Sequence, residues 1–278
     1  MGLTKINETK VVLDIIKNGQ LKIGKEMVDI SEDLRKYSSI EYRKIDIDKI
    51  NVSKVEKLEN PCKVYIIPCG SGEVAFETEF DNAKVCILNF ASSKHPGGGF
   101  MTGAHAQEEN LCYHSNLYDA LCKHGKFYEY NNKNLNKSLY TDGIIYTADV
   151  LFFRKRFTNI VPKLVDVITC AAPNKGAALR SGVKSVEIDN TMTRRLEQIL
   201  KVAIENGAKT LVLGAFGCGV FKNDIEYVAQ ETKKLLFNKG YAMYFENIII
   251  PGMSKTDRVY KSFSRIFRGV PNLIIKIE

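Results

Sequence analysis

The stretch from residue 85 to residue 122, VCILNFASSKHPGGGFMTGAHAQEENLCYHSNLYDALC, constrains this chain more than any other. It opens on an apolar run, Val85–Phe90, short enough to be a strand buried on both faces. Pro96 and three consecutive glycines, Gly97, Gly98 and Gly99, come next. Gln107, Glu108 and Glu109 follow, and then a segment that sets Leu111, Leu117, Leu121 and Cys122 on one helical face. A buried strand, a glycine loop, a carboxylate pair and a helix, in that order, describe a ligand site. Ligands of α/β sheets bind beyond the C-terminal ends of the strands.

Glycines without Cβ atoms let a ligand lie directly on the main chain, and successive N–H groups form a concave nest for an anion. The spacing is not a nucleotide P-loop, since no Lys-Ser or Lys-Thr follows, and it is not the GxGxxG fingerprint. By itself the triplet reads equally well as a flexible surface loop. Glu108 and Glu109 fall at or just before a helix N-terminus, where the helix dipole favours negative charge, so ordinary N-terminal acids are one reading. The other is glycosidic cleavage, which needs a carboxyl group that protonates a leaving oxygen and then activates water. The dipole lowers a carboxyl pKa whereas a general acid needs it raised, so burial and the neighbouring like charge would have to prevail.

A second glycine cluster, GAFGCGVFKND at 214–224, follows the apolar run at 210–213. One reading is a loop wrapped round a diphosphate, its oxygens held by backbone N–H groups and Phe221 packed on a sugar face. The other is a strand-to-helix turn with Phe221 in the core. Cys218, flanked by glycines, invites a nucleophile reading. Its loop brings no histidine partner, so the residue reads as a steric fit beside phosphate.

Together, HPGGG…QEE and GAFGCGVF resemble the macrodomain-type poly(ADP-ribose) glycohydrolases, particularly their compact bacterial-type branch. The similarity extends over most of the chain and includes ETKVVLDIIKNGQ near the start, NF at the strand end and TCAAPN at 169–174. The resemblance implies an α/β fold: a macrodomain-like three-layer α/β/α sandwich with a mixed central sheet and an N-terminal helical extension. The extension would span 1–60 and the catalytic domain 61–278, as one structural unit. The implied reaction is hydrolysis of the ribose–ribose O-glycosidic bond of poly(ADP-ribose), exo-acting, with no metal and no cofactor. The substrate would be the polymer or an ADP-ribosylated protein, and ADP-ribose the product. Glu109 would protonate the leaving ribose oxygen and then deprotonate the attacking water. Glu108 would bind the hydroxyls of the riboses flanking the scissile bond, and Gln107 would hold the loop. Gly97, Gly98 and Gly99 would approach the diphosphate and distal ribose, and Asn89 would hydrogen-bond that ribose. Gly217, Cys218, Gly219 and Val220 would line the diphosphate, with Phe221 pressed against the terminal ribose. The chain departs from the family at Phe216, where relatives often carry Trp. It also departs in a longer loop between Asn89 and Gly97 than the animal enzymes have. An adenine-stacking residue is not assigned. A mono-ADP-ribosyl hydrolase and a non-catalytic ADP-ribose-binding module are the alternatives.

At 278 residues the chain suits one large domain or a domain with an extension. Forty basic against thirty-two acidic residues give a net charge of +8, which favours polyanionic partners. No dense basic block with interleaved aromatics appears, so specific nucleic-acid binding is not expected. The seven cysteines show no CxxC and no finger spacing and read as reduced thiols of a cytoplasmic protein, acting as a monomer. The four histidines read as loop or surface residues rather than metal ligands. The start lacks the apolar core of a signal peptide, Ile6 disfavours myristoylation, and no stretch approaches a membrane span.

Periodicity predicts a helix over 4–17, a strand at Lys63–Ile67, a loop and then a helix to about residue 82, and a strand at 85–89. Residues 126–143 lack apolar periodicity and read as an exposed connection. Strands are expected within 144–153 and at 165–171, and the loop at 172–176 reads first as a plain turn. A helix over 191–206, a strand at 210–215, a helix over 225–238, a strand at 247–250 and a helix over 256–268 complete an alternating α/β order.

Overall fold

Runs rich in Ile, Val and Tyr collect into one eight-stranded mixed sheet in the computed structural model, which describes residues 2–80 and 84–277. The chain begins with helix α1 (Gly2–Asn18) and a hairpin of β1 (Gln20–Ile23) and β2 (Glu26–Asp29). The sheet strands are β3 (Ser38–Tyr42), β4 (Lys63–Ile67), β5 (Val85–Phe90), β6 (Ile144–Lys155), β7 (Thr158–Cys170), β8 (Thr210–Val212), β9 (Asn247–Pro251) and β10 (Leu273–Ile275). Their order is β10-β4-β9-β8-β5-β7-β6-β3. From β10 to β7 every neighbour is parallel, whereas β6 pairs antiparallel with both β7 and β3. The parallel strands β4, β5, β7, β8 and β9 therefore release their C-terminal ends along one edge.

The remaining helices are α2 (Lys44–Asp48), α3 (Gln107–His114), α4 (Leu117–Cys122), α5 (Gly125–Lys133), α6 (Lys175–Arg180), α7 (Ser185–Glu205), α8 (Ile225–Lys233) and α9 (Arg258–Ile266). The period-2 alternation of a strand assigns its side chains to two cores. Cys86, Leu88, Ile168, Cys170, Ile248 and Ile250 meet α7, α8 and α9 on one face. Ile87, Val167, Val212 and Ile249 meet α1, α3 and α4 on the other. Central strands covered on both faces explain why they read as continuous apolar runs.

Several expectations are corrected. The first sixty residues are not a helical extension alone: they hold the β1–β2 hairpin, and β3 forms an edge of the main sheet, with Tyr42 opposite Ile144 and Ser38 opposite Ala148. An edge strand of five residues, mostly exposed, carries too little apolar alternation to stand out. Residues 126–143 are not an irregular connection, because α5 occupies most of their first half and buries Tyr128 and Asn131. The helix expected towards residue 82 is instead two 3-10 turns, Ser71–Phe76 and Thr78–Phe80, and its expected end lies outside the described residues. The plain turn at 172–176 runs into α6, whose cap is Asn174, its side chain accepting from Ala177 N. The helix expected over 225–238 continues past α8 as a π-helical turn, Lys234–Asn238. His114 is buried rather than a surface residue.

Beside the open edge of the sheet, Arg195 of α7 is fully buried. Its guanidinium donates to Ala171 O at 2.8 Å, to Leu139 O at 2.5 Å and to Asp142 at 3.2 Å, tying the 139–142 segment to the end of β7. Arg194 pairs with the same carboxylate from a half-exposed position. Removing one partner of a buried pair strands the other, at a cost of about 3–5 kcal/mol, whereas an exposed pair contributes under ~1 kcal/mol. Arg195→Ala is therefore expected to lose several times more stability than Arg194→Ala in urea unfolding; equal losses would contradict this account of the anchor.

Candidate active site

Strand β8 is short, and that shortness opens the site. It pairs with β5 only from Val85–Thr210 to Ile87–Val212. Gly214 then turns the chain away at φ +147°, and a Cβ there would meet the ring of Phe90 at 3.0 Å. The last part of β5 is left without a strand neighbour on that side. Gln107, the first residue of α3, supplies one: its Oε1 accepts from Phe90 N at 2.8 Å and its Nε2 donates to Leu88 O at 2.8 Å. The same amide donates to Ser71 Oγ at 3.2 Å. A single side chain thus imitates a β-ladder and fixes the start of α3 against the end of β5.

That clamp places the two glutamates. Glu108 is 3% exposed; its Oε2 accepts from Ser92 N at 2.7 Å and its Oε1 from Asn89 Nδ2 at 3.3 Å. Burial pushes its carboxyl up to about 8, against the lowering pull of the Ser92 and Asn89 donors and with added repulsion from Glu109. Glu109 is 7% exposed, its Oε1 accepting from Gly99 N at 2.7 Å and its Oε2 from Ala106 N at 2.8 Å. A carboxyl group carries about four acceptor positions when ionised and keeps acceptor positions beside an O–H donor when protonated, so each has capacity beyond these bonds. Asn89, fully buried, also donates to Thr169 Oγ1 at 3.2 Å, and among the described residues its Oδ1 has no hydrogen-bond partner.

The triplet of glycines closes over this pair. Gly97 and Gly98 lie at φ +66° and +58°, and a Cβ on Gly98 would stand 2.5 Å from Glu109 Oε1 and 2.9 Å from Glu108 Oε2. Only a residue without a side chain fits between the two carboxyl groups at that backbone angle. Gly99 supplies the N–H that Glu109 accepts.

The second loop faces the same edge. Ala215, Cys218 and Gly219 line a cavity of about 410 Å³ together with Phe90, Ala106 and Gln107. Gly217 turns inward against Ala172 and Asn223, and Asn223 Nδ2 donates to Gly217 O at 2.9 Å and Pro173 O at 2.8 Å. Val220 is exposed at the crest, and Phe221 is half-buried with its ring centroid 5.9 Å from that of Tyr140. Neither Val220 nor Phe221 lines that cavity. Phe216 is fully buried and packs edge-on to Phe90 at 5.9 Å. Burial pushes the Cys218 thiol up to about 12, aided by Asp224, so it is held as a thiol and not as a nucleophilic thiolate.

The rest of the cavity comes from residues the sequence did not single out: Cys69, Gly70 and Ser71 after β4, His105, Asn110, Ile225, Pro251 at the end of β9, and Met253, Asp257 and Val259 after it. The signal was present in the rule that ligands sit beyond strand C-termini, applied to β4 and β9 as well as to β5 and β8. Asp257 shapes this wall by accepting from Met253 N and Val259 N at 2.9 and 3.1 Å. Among the described residues no group of three or more His, Cys, Asp or Glu side chains is placed to hold a metal ion, and no helix is long and apolar enough to cross a membrane.

Comparison with known proteins meets this geometry. The family model described as "Microbial-type PARG, catalytic domain" matches residues 9–155. The crystal structure of poly(ADP-ribose) glycohydrolase from Thermomonospora curvata is 28% identical and superposes with a TM-score of 0.87, covering 95% of this chain and 99% of its own. The same enzyme bound to the inhibitor ADP-HPD gives a TM-score of 0.84 at 28% identity, covering 94% and 98%. Poly(ADP-ribose) glycohydrolase from Deinococcus radiodurans, in complex with ADP-ribose, is 30% identical with a TM-score of 0.75, covering 84% of this chain and 95% of its own. No match is found among curated proteins. The mixed sheet, with its helices on both faces, has the architecture of a glycohydrolase catalytic domain. Within that class, the chain belongs to the microbial-type PARG family.

The raised carboxyl of Glu108 has a consequence for stability. Between the ordinary value of 4.5 and about 8, the unfolded chain releases this proton while the folded protein keeps it. Stability contributed by this site therefore falls as pH rises through that window and levels off above it. Glu108→Gln removes the dependence. Its stability relative to the parent should rise by a few kcal/mol from about pH 5 to about pH 8, at ~1.4 kcal/mol per pKa unit. Unfolding curves that stay parallel across that range would contradict the assigned burial effect.

Proposed function

We infer that this chain is a poly(ADP-ribose) glycohydrolase that cleaves the ribose–ribose O-glycosidic bond and releases ADP-ribose, with Glu109 as general acid and base. The observation that carries the catalytic assignment is the buried glutamate pair under Gly98, each carboxyl group oriented by two hydrogen-bond donors. In this reading the adenosine of the terminal unit occupies the cavity of about 410 Å³, against Ile225, Met253 and Val259. Its diphosphate lies along Cys218 and Gly219, and Phe221 covers the distal ribose. The open Asn89 Oδ1 takes a ribose hydroxyl, the contact a buried acceptor without a partner requires. Glu108, neutral at pH 7, exchanges hydrogen bonds with the riboses on either side of the bond.

Glu109 then gives its proton to the leaving ribose oxygen as the bond to the anomeric carbon breaks with oxocarbenium character. The resulting carboxylate removes a proton from the water that attacks that carbon, restoring the acid. Its bonds to Gly99 N and Ala106 N hold it through both steps without using every acceptor position. The family resemblance supports attack at chain ends, hence exo-action. Seven free cysteines support a reducing, cytoplasmic setting.

A second reading makes Glu108 the proton donor, and its raised carboxyl is the observation that favours it. Two variants separate the readings. Glu109→Gln is expected to lower kcat on poly(ADP-ribose) by roughly 10²–10⁴ while ADP-ribose binding, measured by calorimetry, stays within about threefold. Glu108→Gln is expected to act mainly through KM. The opposite pattern transfers the acid role to Glu108, and full turnover by Glu109→Gln overturns the mechanism.

A further inference from the structure

A second cleft opens on the same edge of the sheet, on the far side of the glutamates from the cavity just described. It encloses about 310 Å³ between the end of β3, α5 and the 140–143 segment, with Arg43, Tyr130, Asn131, Asn134 and Tyr140 among its walls. We propose that this cleft holds the adenosine of the next polymer unit, the one that carries the leaving ribose oxygen; the proposal rests on the glycohydrolase reading above.

Position is the first argument. From β5 to β3 the sheet runs β5-β7-β6-β3, three spacings of about 4.8 Å, or roughly 14 Å. The cleft's near wall, Thr141 and Gly143 just before β6, stands closer to β5 than that, which the unit requires because its purine is carried on the same ribose as the leaving oxygen. The two regions are also neighbours that share walls. A narrow gap lined by Ser92, Ser93 and Thr169 shares Phe127, Asn131, Thr141 and Gly143 with the cleft. Ser92 and Thr169 are the residues that hold Glu108 and Asn89. Ser93 Oγ is buried there and, among the described residues, has no hydrogen-bond partner. Tyr140 also lines the cleft, and its ring meets Phe221 at 5.9 Å.

Chemistry is the second. Arg43 lies over the ring of Tyr130, 5.4 Å from its centroid, giving the stacked guanidinium and aromatic surface on which a purine packs. Lys44 and Arg194, the other cations of the wall, are engaged with Asp48 and Asp142, and Glu41 is engaged with His124. Among the described residues Arg43 makes no ion pair, which leaves its charge for a phosphate. Asn131 Oδ1 accepts from Thr141 Oγ1 at 2.5 Å and Asn134 Nδ2 donates to Tyr130 O at 2.8 Å, which leaves Asn131 Nδ2 as a donor and Asn134 Oδ1 as an acceptor for a purine edge.

Backbone conformation is the third. Asn136, Lys137, Ser138 and Tyr140 all lie at positive φ, from +44° to +71°, although none is glycine. Such a run costs on the order of 1 kcal/mol per residue and persists where neighbours enforce it. Arg195 holds Leu139 O, and Asn174 N donates to Ser138 O. The strain sets Tyr140 between Phe221 and the cleft.

The test uses the full chain carrying Glu109→Gln, so that bound polymer is not consumed. Binding of ADP-ribose and of its ribose-linked dimer is measured by calorimetry, with and without Arg43→Ala and Tyr130→Ala. The dimer is expected to bind roughly five- to tenfold more tightly than ADP-ribose, and the paired substitutions should erase that preference while leaving ADP-ribose affinity unchanged. Equal affinity for monomer and dimer, or equal weakening of both, overturns the proposal. Failure of the unsubstituted protein to release ADP-ribose from polymer would instead overturn the activity on which the cleft's occupant rests.

Discussion

The amide of Gln107 is the contact on which the rest of the site depends. A parallel sheet offers no side chains at its C-terminal edge except those the loops bring back, and loops alone are poor positioning devices. Here β8 stops opposite Ile87, leaving Leu88 O and Phe90 N unpaired, and an unpaired buried backbone group is expensive. Gln107 satisfies both groups at 2.8 Å each, with geometry that a strand residue would otherwise provide. Because Gln107 is also the first residue of α3, satisfying the strand fixes the helix start, and the two following residues are aimed with it. Rigid placement of Glu108 and Glu109 is a by-product of completing a β-ladder.

Two carboxyl groups in one dry pocket would repel each other and resist desolvation. The protein answers with donors rather than with cations. Ser92 N and Asn89 Nδ2 serve Glu108, and Gly99 N and Ala106 N serve Glu109. Backbone N–H groups are fixed dipoles that need no counter-ion, so the pair keeps acceptor capacity for a sugar. The donors do not fully offset burial at Glu108, whose carboxyl stays protonated into the neutral range. The closeness of the donors is what demands glycine at position 98, where any side chain would collide with both acids.

The two halves of the edge are built differently, and the difference suits a polymer. Towards β4 and β9 the wall is mainly apolar, with Pro251, Met253 and Val259 lining the cavity. Towards β6 and β3 it is polar and aromatic, and Arg195 and Asn174 hold the 136–140 segment, in which Asn136, Lys137, Ser138 and Tyr140 lie at positive φ. Phe221 and Tyr140 stand between them, packed on one another.

Much of this was legible from residue order. The apolar runs at 63–67, 85–90 and 247–250 announce buried strands, because burial on both faces leaves no polar alternation to confuse. The glycine triplet and Gln107-Glu108-Glu109 announce a close approach of backbone and acids, and the resemblance of these motifs to the poly(ADP-ribose) glycohydrolases placed the chain in its family. Elements held by few apolar contacts were not legible. The strand Ser38–Tyr42 sits at an edge, α5 buries only Tyr128 and Asn131, and Leu273–Ile275 pairs with β4 across nearly the whole chain. What the sequence determined by itself was which residue types would meet: two glycine loops, an amide and two acids after buried strands. Only the tertiary structure decided which acid is pushed towards neutrality, that Val220 faces solvent, and that Arg43 from the first sixty residues reaches the same edge. Those outcomes depend on how deeply each group is desolvated and on which strands become neighbours, and neither is written in local order.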